Sequence, residues 1–142
     1  MRKLLFICSF FAVLILSGSI NNPWGTLPLS AEANVTQAME YQIITSAQAR
    51  QMMDDGHAFI LLDVRTTEEF ETERIEGALL IPVHEVKERA QAELPDKNAR
   101  ILVYCRSGRR SAQAAHDLIN MGYANVYDFG GIIDWPYETV SD

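Results

Sequence analysis

Cysteine is almost missing from this 142-residue chain, with Cys8 and Cys105 the only two. That excludes a disulfide-stapled scaffold, and with a single thiol left beyond the leader it also excludes a Cys-x-x-Cys redox mechanism within one chain. Positive charge is scarce as well. There are 12 Lys and Arg against 19 Asp and Glu, a net charge of −7, which argues against nucleic acid or an anionic lipid surface as a partner. The three histidines, His57, His84 and His116, are scattered without metal-ligand spacing, so no metal site is expected. Internal repeats are absent, and 142 residues leave no room for two ordinary domains.

The longest apolar run, Leu4 to Leu16, has thirteen residues, too few to span a bilayer comfortably. It follows Arg2 and Lys3 and is broken only by Cys8 and Ser9, which is the pattern of a secretory signal. Ala31-Glu32-Ala33 has the small-x-small form of a cleavage site, with Ser19 a second candidate. The expected organisation is a signal and cleavage region over 1–33, a short arm over 34–40 and one folded domain over 41–142. The mature chain is expected to be exported, periplasmic or extracellular, monomeric and free of membrane. An uncleaved anchor reaching Ile20, with 21–30 as a tether, is the alternative. From Asn34 onward 10 basic and 18 acidic side chains remain, and three of those ten bases crowd beside Cys105.

That crowding marks the chemistry. Ile101 to Tyr104 reads as a short buried strand, followed by Cys105-Arg106-Ser107-Gly108-Arg109-Arg110 and, after Ser111, a helical pattern closed by Gly122. A strand, tight loop and helix start create an anion site, because the first N–H groups of a helix are unpaired and carry partial positive charge. Here the anion can be the cysteine itself. Arg106, Arg109 and Arg110 beside it should lower its pKa and make it nucleophilic, and Gly108 lets the backbone wrap around the sulfur. A lone thiol outside the cytoplasm is exposed to oxidation, so its presence favours a chemical role.

The remainder alternates. Strands are expected at 41–44, 59–63, 78–81, 101–104 and 126–129. Helices are expected from Thr45 or Ser46 to about Asp54, from a Thr66-x-x-Glu69 capping box to about Glu73, and from Val83 to Leu94. A last turn covers Ile132 to Trp135. Short apolar strands between helices imply a parallel sheet covered on both faces. Ligands of such sheets bind beyond the carboxyl ends of the strands, where Asp63 and Cys105 fall.

The ordered set of Asp63-Val64-Arg65, Glu69-Phe70, Ile75, Gly77-Ala78, Ile81-Pro82, the Cys105–Arg110 loop, Gly130-Gly131-Ile132 and Trp135 resembles a rhodanese domain, over about residues 41–135. The resemblance implies a three-layer α/β fold with a five-stranded, mostly parallel sheet. It also implies a sulfurtransferase cycle in which a Cys105 persulfide carries sulfur from a small anionic donor such as thiosulfate to a thiol or cyanide, without a cofactor. In that cycle Arg106 and Arg110 grip the donor, Ser107 and Gly108 line the loop, and Arg109 points outward. The resemblance places the Asp63 carboxylate against the loop backbone and Arg65 against an acid such as Glu69, both in supporting roles. Two departures stand out. Glu73-Arg74-Ile75-Glu76 replaces the family's Gly-His-Ile-Pro, and the acidic tail 136–142 offers little to shape a pocket. A cysteine phosphatase or arsenate reductase resembles Cys-x5-Arg, one residue longer than Cys105-x4-Arg110. A non-turnover persulfide carrier or anion-binding module serving a partner protein is the alternative from another class.

Overall fold

A computed structural model describes residues 40–142; the proposed signal, its cleavage sites and nearly all of the arm lie outside the described residues. Within them strands and helices alternate as β1 (Gln42–Ile43), α1 (Ser46–Asp54), β2 (Ile60–Asp63), α2 (Thr67–Thr72), β3 (Leu79–Leu80), α3 (Val86–Glu93), β4 (Arg100–Cys105), α4 (Arg109–Asn120) and β5 (Asn125–Gly131), with 3₁₀ turns at Val83–Glu85 and Ile132–Asp134. Side chains that satisfy orphan backbone groups set the helix ends. Thr45 with Gln48, and Thr66 with Glu69, form reciprocal capping boxes. At the end of α4 the N–H groups of Gly122 and Tyr123 donate to Ile119 and Leu118 carbonyls, a Schellman closure that requires the positive φ of Gly122.

Several boundaries differ from the sequence expectation, among them β5, which runs on through Gly130 and Gly131 instead of ending at Phe129, and β1 and β3, which are shorter than expected. The segment from Val83 to Leu94 is not one helix but a 3₁₀ turn running into α3. The Val83 N–H is drawn to the Val64 carbonyl at 3.1 Å, and Glu85 N–H closes on Pro82. Helix α4 starts at Arg109 rather than after Ser111, because Gly108 takes a left-handed φ of 98° and turns the chain directly into the helix. Arg109 and Arg110 are therefore first-turn helical residues and not loop residues.

The strand order is β1-β5-β4-β2-β3 and every pair is parallel. The order in which strands are added reverses between β2 and β4, since β2 leads outward to β3 and β4 leads outward to β5. Their carboxyl ends form the crevice where such sheets bind ligands. Alternation along the strands divides two cores. Leu62, Val64, Ile101, Val103 and Cys105 face α3 and α4, packing with Val86, Ala90, Ala115 and Leu118. Leu61, Leu102 and Tyr104 face the other way, onto Ala49 of α1, Phe129, Ile132 and Trp135. Each core layer thus has sheet on one side and helix on the other. The Tyr123 hydroxyl fixes α3 from within by donating to the Ala90 and Leu94 carbonyls, both at 2.8 Å.

Candidate active site

Cys105 ends β4 with its side chain on the α4 face and only 1 % of its surface exposed. The Gly108 N–H donates to its sulfur at 3.1 Å, and Ser111 Oγ lies 3.6 Å from it. Burial alone would raise the thiol pKa. The Ser111 hydroxyl and the N–H groups of Ser111, Ser107 and Gly108 outweigh burial, and the net shift is downward. The sequence credits both the helix-start N–H groups and the arginines; the hydrogen bonds lead the lowering, and of the arginines Arg110 is the one coupled to the sulfur. Ser111 was not singled out. Its hydroxyl also reaches the Gly108 carbonyl at 2.9 Å and the Gly130 carbonyl at 3.2 Å, so it ties the loop to α4 and β5. Only its place one turn into the helix hinted at this. Ser111→Ala should raise the Cys105 pKa and slow thiolate chemistry at pH 7 roughly tenfold, the scale of losing a hydrogen bond to a charged group. A pH profile of the alkylation rate of Cys105 checks this, and an unmoved profile would contradict the assigned role.

The loop needs space that β5 provides. Its register against β4 shifts so that Val103 faces Asp128 while Cys105 faces Gly131, one extra residue on β5. The Asp128 carboxylate holds this bulge by accepting the Gly130 N–H at 2.9 Å. A Cβ on Gly131 would collide with the Arg106 carbonyl oxygen and lie 2.7 Å from Ser107 Cα. The double glycine thus lets the loop backbone pass directly over the sheet edge.

The arginines separate into different roles. Arg110 is half-buried and makes two parallel bonds to Glu69 of α2, at 2.7 and 2.8 Å. Its charge is upheld by Glu69 and, less strongly, by Cys105. The Arg110 guanidinium in turn holds the Glu69 carboxyl down at about 2. The lowered value means this pair stabilises the fold above about pH 4.5 and loses that contribution as pH falls towards 2. Arg106, Ser107 and Arg109 are exposed, with Arg106 and Ser107 on the loop and Arg109 on the first turn of α4.

Asp63 and Arg65 form a structural ion pair, as expected of a supporting role, but with each other and not with the loop backbone and Glu69. By strand alternation Asp63 points to the face opposite Cys105. Its carboxylate accepts from the Arg65 N–H at 2.9 Å and from the Arg65 guanidinium at 2.6 to 3.0 Å. Arg65 extends to the Glu73 carbonyl at 2.6 Å and lies over the Tyr104 ring, while Glu69 belongs to Arg110. The tail has a structural part that its sequence does not show. Val140 forms a two-bond bridge with Arg74, and Thr139 donates to the Glu73 carboxylate, bracing the end of α2. Between α2 and the Cys105 loop lies an open cleft of about 430 Å³, bounded by Arg65, Glu68, Glu69, Thr72, Glu73, Arg106, Ile132 and Ile133.

The rhodanese-like domain family matches residues 45–136, about two thirds of the chain. The chain belongs to the rhodanese family. Its rhodanese domain is 47 % identical over 73 residues to the thiosulfate sulfurtransferase PspE of Escherichia coli K12, covering 51 % of this chain and 70 % of that protein. It is 39 % identical over 93 residues to a sulfurtransferase of Allochromatium vinosum, covering 65 % and 85 % of the two chains. A solved E. coli rhodanese with anions aligns at a TM-score of 0.57 and 42 % identity, over 60 % of this chain and all of that one. Cys105, at the carboxyl end of the central strand of this rhodanese domain, is a buried thiol held among N–H donors.

Proposed function

We propose that the domain transfers a sulfane sulfur from thiosulfate, or a similar anionic donor, to a nucleophilic acceptor through a Cys105 persulfide. The observation that carries this reading is a buried sulfur whose ionised form is stabilised by the Ser111 hydroxyl and a ring of backbone N–H groups. The Cys105 thiolate attacks the outer sulfur of thiosulfate, the S–S bond breaks, and sulfite leaves with the electron pair. Cys105–S–S⁻ remains, an anion again, so the same N–H groups serve every stage. Cyanide or a thiolate then attacks the outer sulfur and returns the pair to Cys105.

In this reading Cys105 is the nucleophile, and Ser107, Gly108 and Ser111 stabilise its anion. Arg106 meets the donor's oxygens from solvent, and Arg109 on α4 adds positive field. Arg110, clamped by Glu69, presents a fixed cation to the loop. Asp63 and Arg65 hold the floor and touch no reactant. The first 33 residues act as an export signal, which places the domain outside the cytoplasmic membrane.

The test is steady turnover of thiosulfate with cyanide, followed as thiocyanate. The expected result is turnover by the native domain and none by Cys105→Ser. Stoichiometric loading without turnover would instead favour a persulfide carrier.

A further inference from the structure

The charges around the open cleft between α2 and the Cys105 loop are unequally neutralised. Of its five charged residues, Arg65 is paired with Asp63 and Glu69 with Arg110. That leaves Glu68 and Glu73 on the α2 wall and Arg106 on the loop wall, all three exposed. The Thr139 hydroxyl donates to Glu73 at 3.0 Å and fixes it without cancelling its charge. The wall on the loop side is completed by Ile132 and by Ile133, which is 63 % exposed and whose N–H donates to the Arg106 carbonyl at 3.3 Å. The cleft therefore runs from Arg106, the residue after Cys105 in the chain, to two carboxylates with no ion-pair partner among the described residues. It is positive at the loop wall and negative at the α2 wall.

A thiosulfate anion matches only the first of these ends. An acceptor matching both would bring a thiolate to the Arg106 end and a cation to the α2 wall, with a short carbon link over Ile132 and Ile133. The volume of about 430 Å³ suits a small molecule. Resting on the sulfurtransferase reading, we infer that this cleft selects the acceptor, and that the preferred acceptor is a small thiol carrying an ammonium group, with Glu68 and Glu73 as specificity-determining residues. The step is balanced without an oxidant. The thiolate attacks the outer sulfur of Cys105–S–S⁻, the S–S bond breaks, the electron pair returns to Cys105 Sγ, and the product leaves as the acceptor's persulfide. The thiol proton goes to solvent beforehand.

The full folded domain is loaded with one sulfur on Cys105, in one arm by thiosulfate and in another by inorganic polysulfide. Loss of that sulfur is then timed by intact mass with cysteamine, 2-mercaptoethanol or 3-mercaptopropionate. Each rate is divided by that thiol's rate with a small organic disulfide, so that intrinsic nucleophilicity cancels. The expected result is cysteamine over mercaptopropionate by about tenfold at low salt, falling as salt screens the cleft. In Glu68→Gln/Glu73→Gln the ratio should fall to within about twofold of unity, with loading by polysulfide unchanged. A ratio near or below one in the native domain, or the native ratio kept in the double variant, overturns the inference. Loading by polysulfide but not by thiosulfate would count against the donor reading alone, because the acceptor ratio is still measured in the polysulfide arm.

Discussion

Arg65→Met is expected to destabilise the domain by about 3–5 kcal/mol, because it leaves Asp63 as a buried, uncompensated charge. The Asp63 side chain is 0 % exposed and that of Arg65 4 %. One arginine supplies the carboxylate with its own N–H and with two guanidinium nitrogens, and also reaches the Glu73 carbonyl that ends α2. The loss would therefore be felt as a looser α2 and a shifted Glu69–Arg110 clamp. Asp63→Leu/Arg65→Met should recover part of the loss, since it removes the orphaned charge while leaving neutral groups, the Glu73 carbonyl, the residue 65 N–H and the Tyr104 hydroxyl, short of partners. Urea unfolding of the two single variants and the double variant checks the coupling. Simple additivity would contradict the account of a mutually compensated pair.

The second large effect is on activity. Gly131→Ala places a methyl group where the Arg106 and Ser107 backbone now runs. Backbone cannot swing aside as a side chain does, so the loop must lift or β5 must open. Overpacking of this kind costs about 1–3 kcal/mol. The N–H groups around Cys105 would lose their aim, and a displacement near 1 Å at a reacting centre lowers rates on the order of a hundredfold. Sulfur transfer should fall by about that factor, with the Cys105 pKa moving up, while the domain stays folded at 25 °C. Unchanged turnover would mean that the loop is not positioned by this contact.

How much of this was legible in the sequence can be judged from individual residues. The central strand and the buried cysteine at its end were readable because Ile101 to Tyr104 is an uninterrupted apolar run ending at Cys105. The Thr66–Glu69 capping box of α2 was readable from its spacing of three, while for α1 the sequence left the cap between Thr45 and Ser46. Contacts local in sequence are visible in sequence. Glu69 with Arg110, forty-one residues apart, is not, and neither is the seating of Ser111 between Gly108 and Gly130. The face on which Asp63 lies was open to reasoning, since strand alternation from Leu62 and Val64 places it opposite Cys105 once the β2–β4 register is known. The start of α4 was missed by three residues because the left-handed turn at Gly108 depends on the loop wrapping a buried sulfur. The tail offers little to a pocket when read in sequence, and its bridge to Arg74 became visible only in three dimensions.

The central claim is that Cys105 is a sulfur carrier during transfer. The most direct measurement is the intact mass of the domain after incubation with thiosulfate, before and after cyanide, beside Cys105→Ser. The account predicts a gain of one sulfur, about 32 Da, that is removed by cyanide and never appears in the variant. No adduct on Cys105 from thiosulfate or any other sulfane donor, or an equal gain in Cys105→Ser, would contradict it.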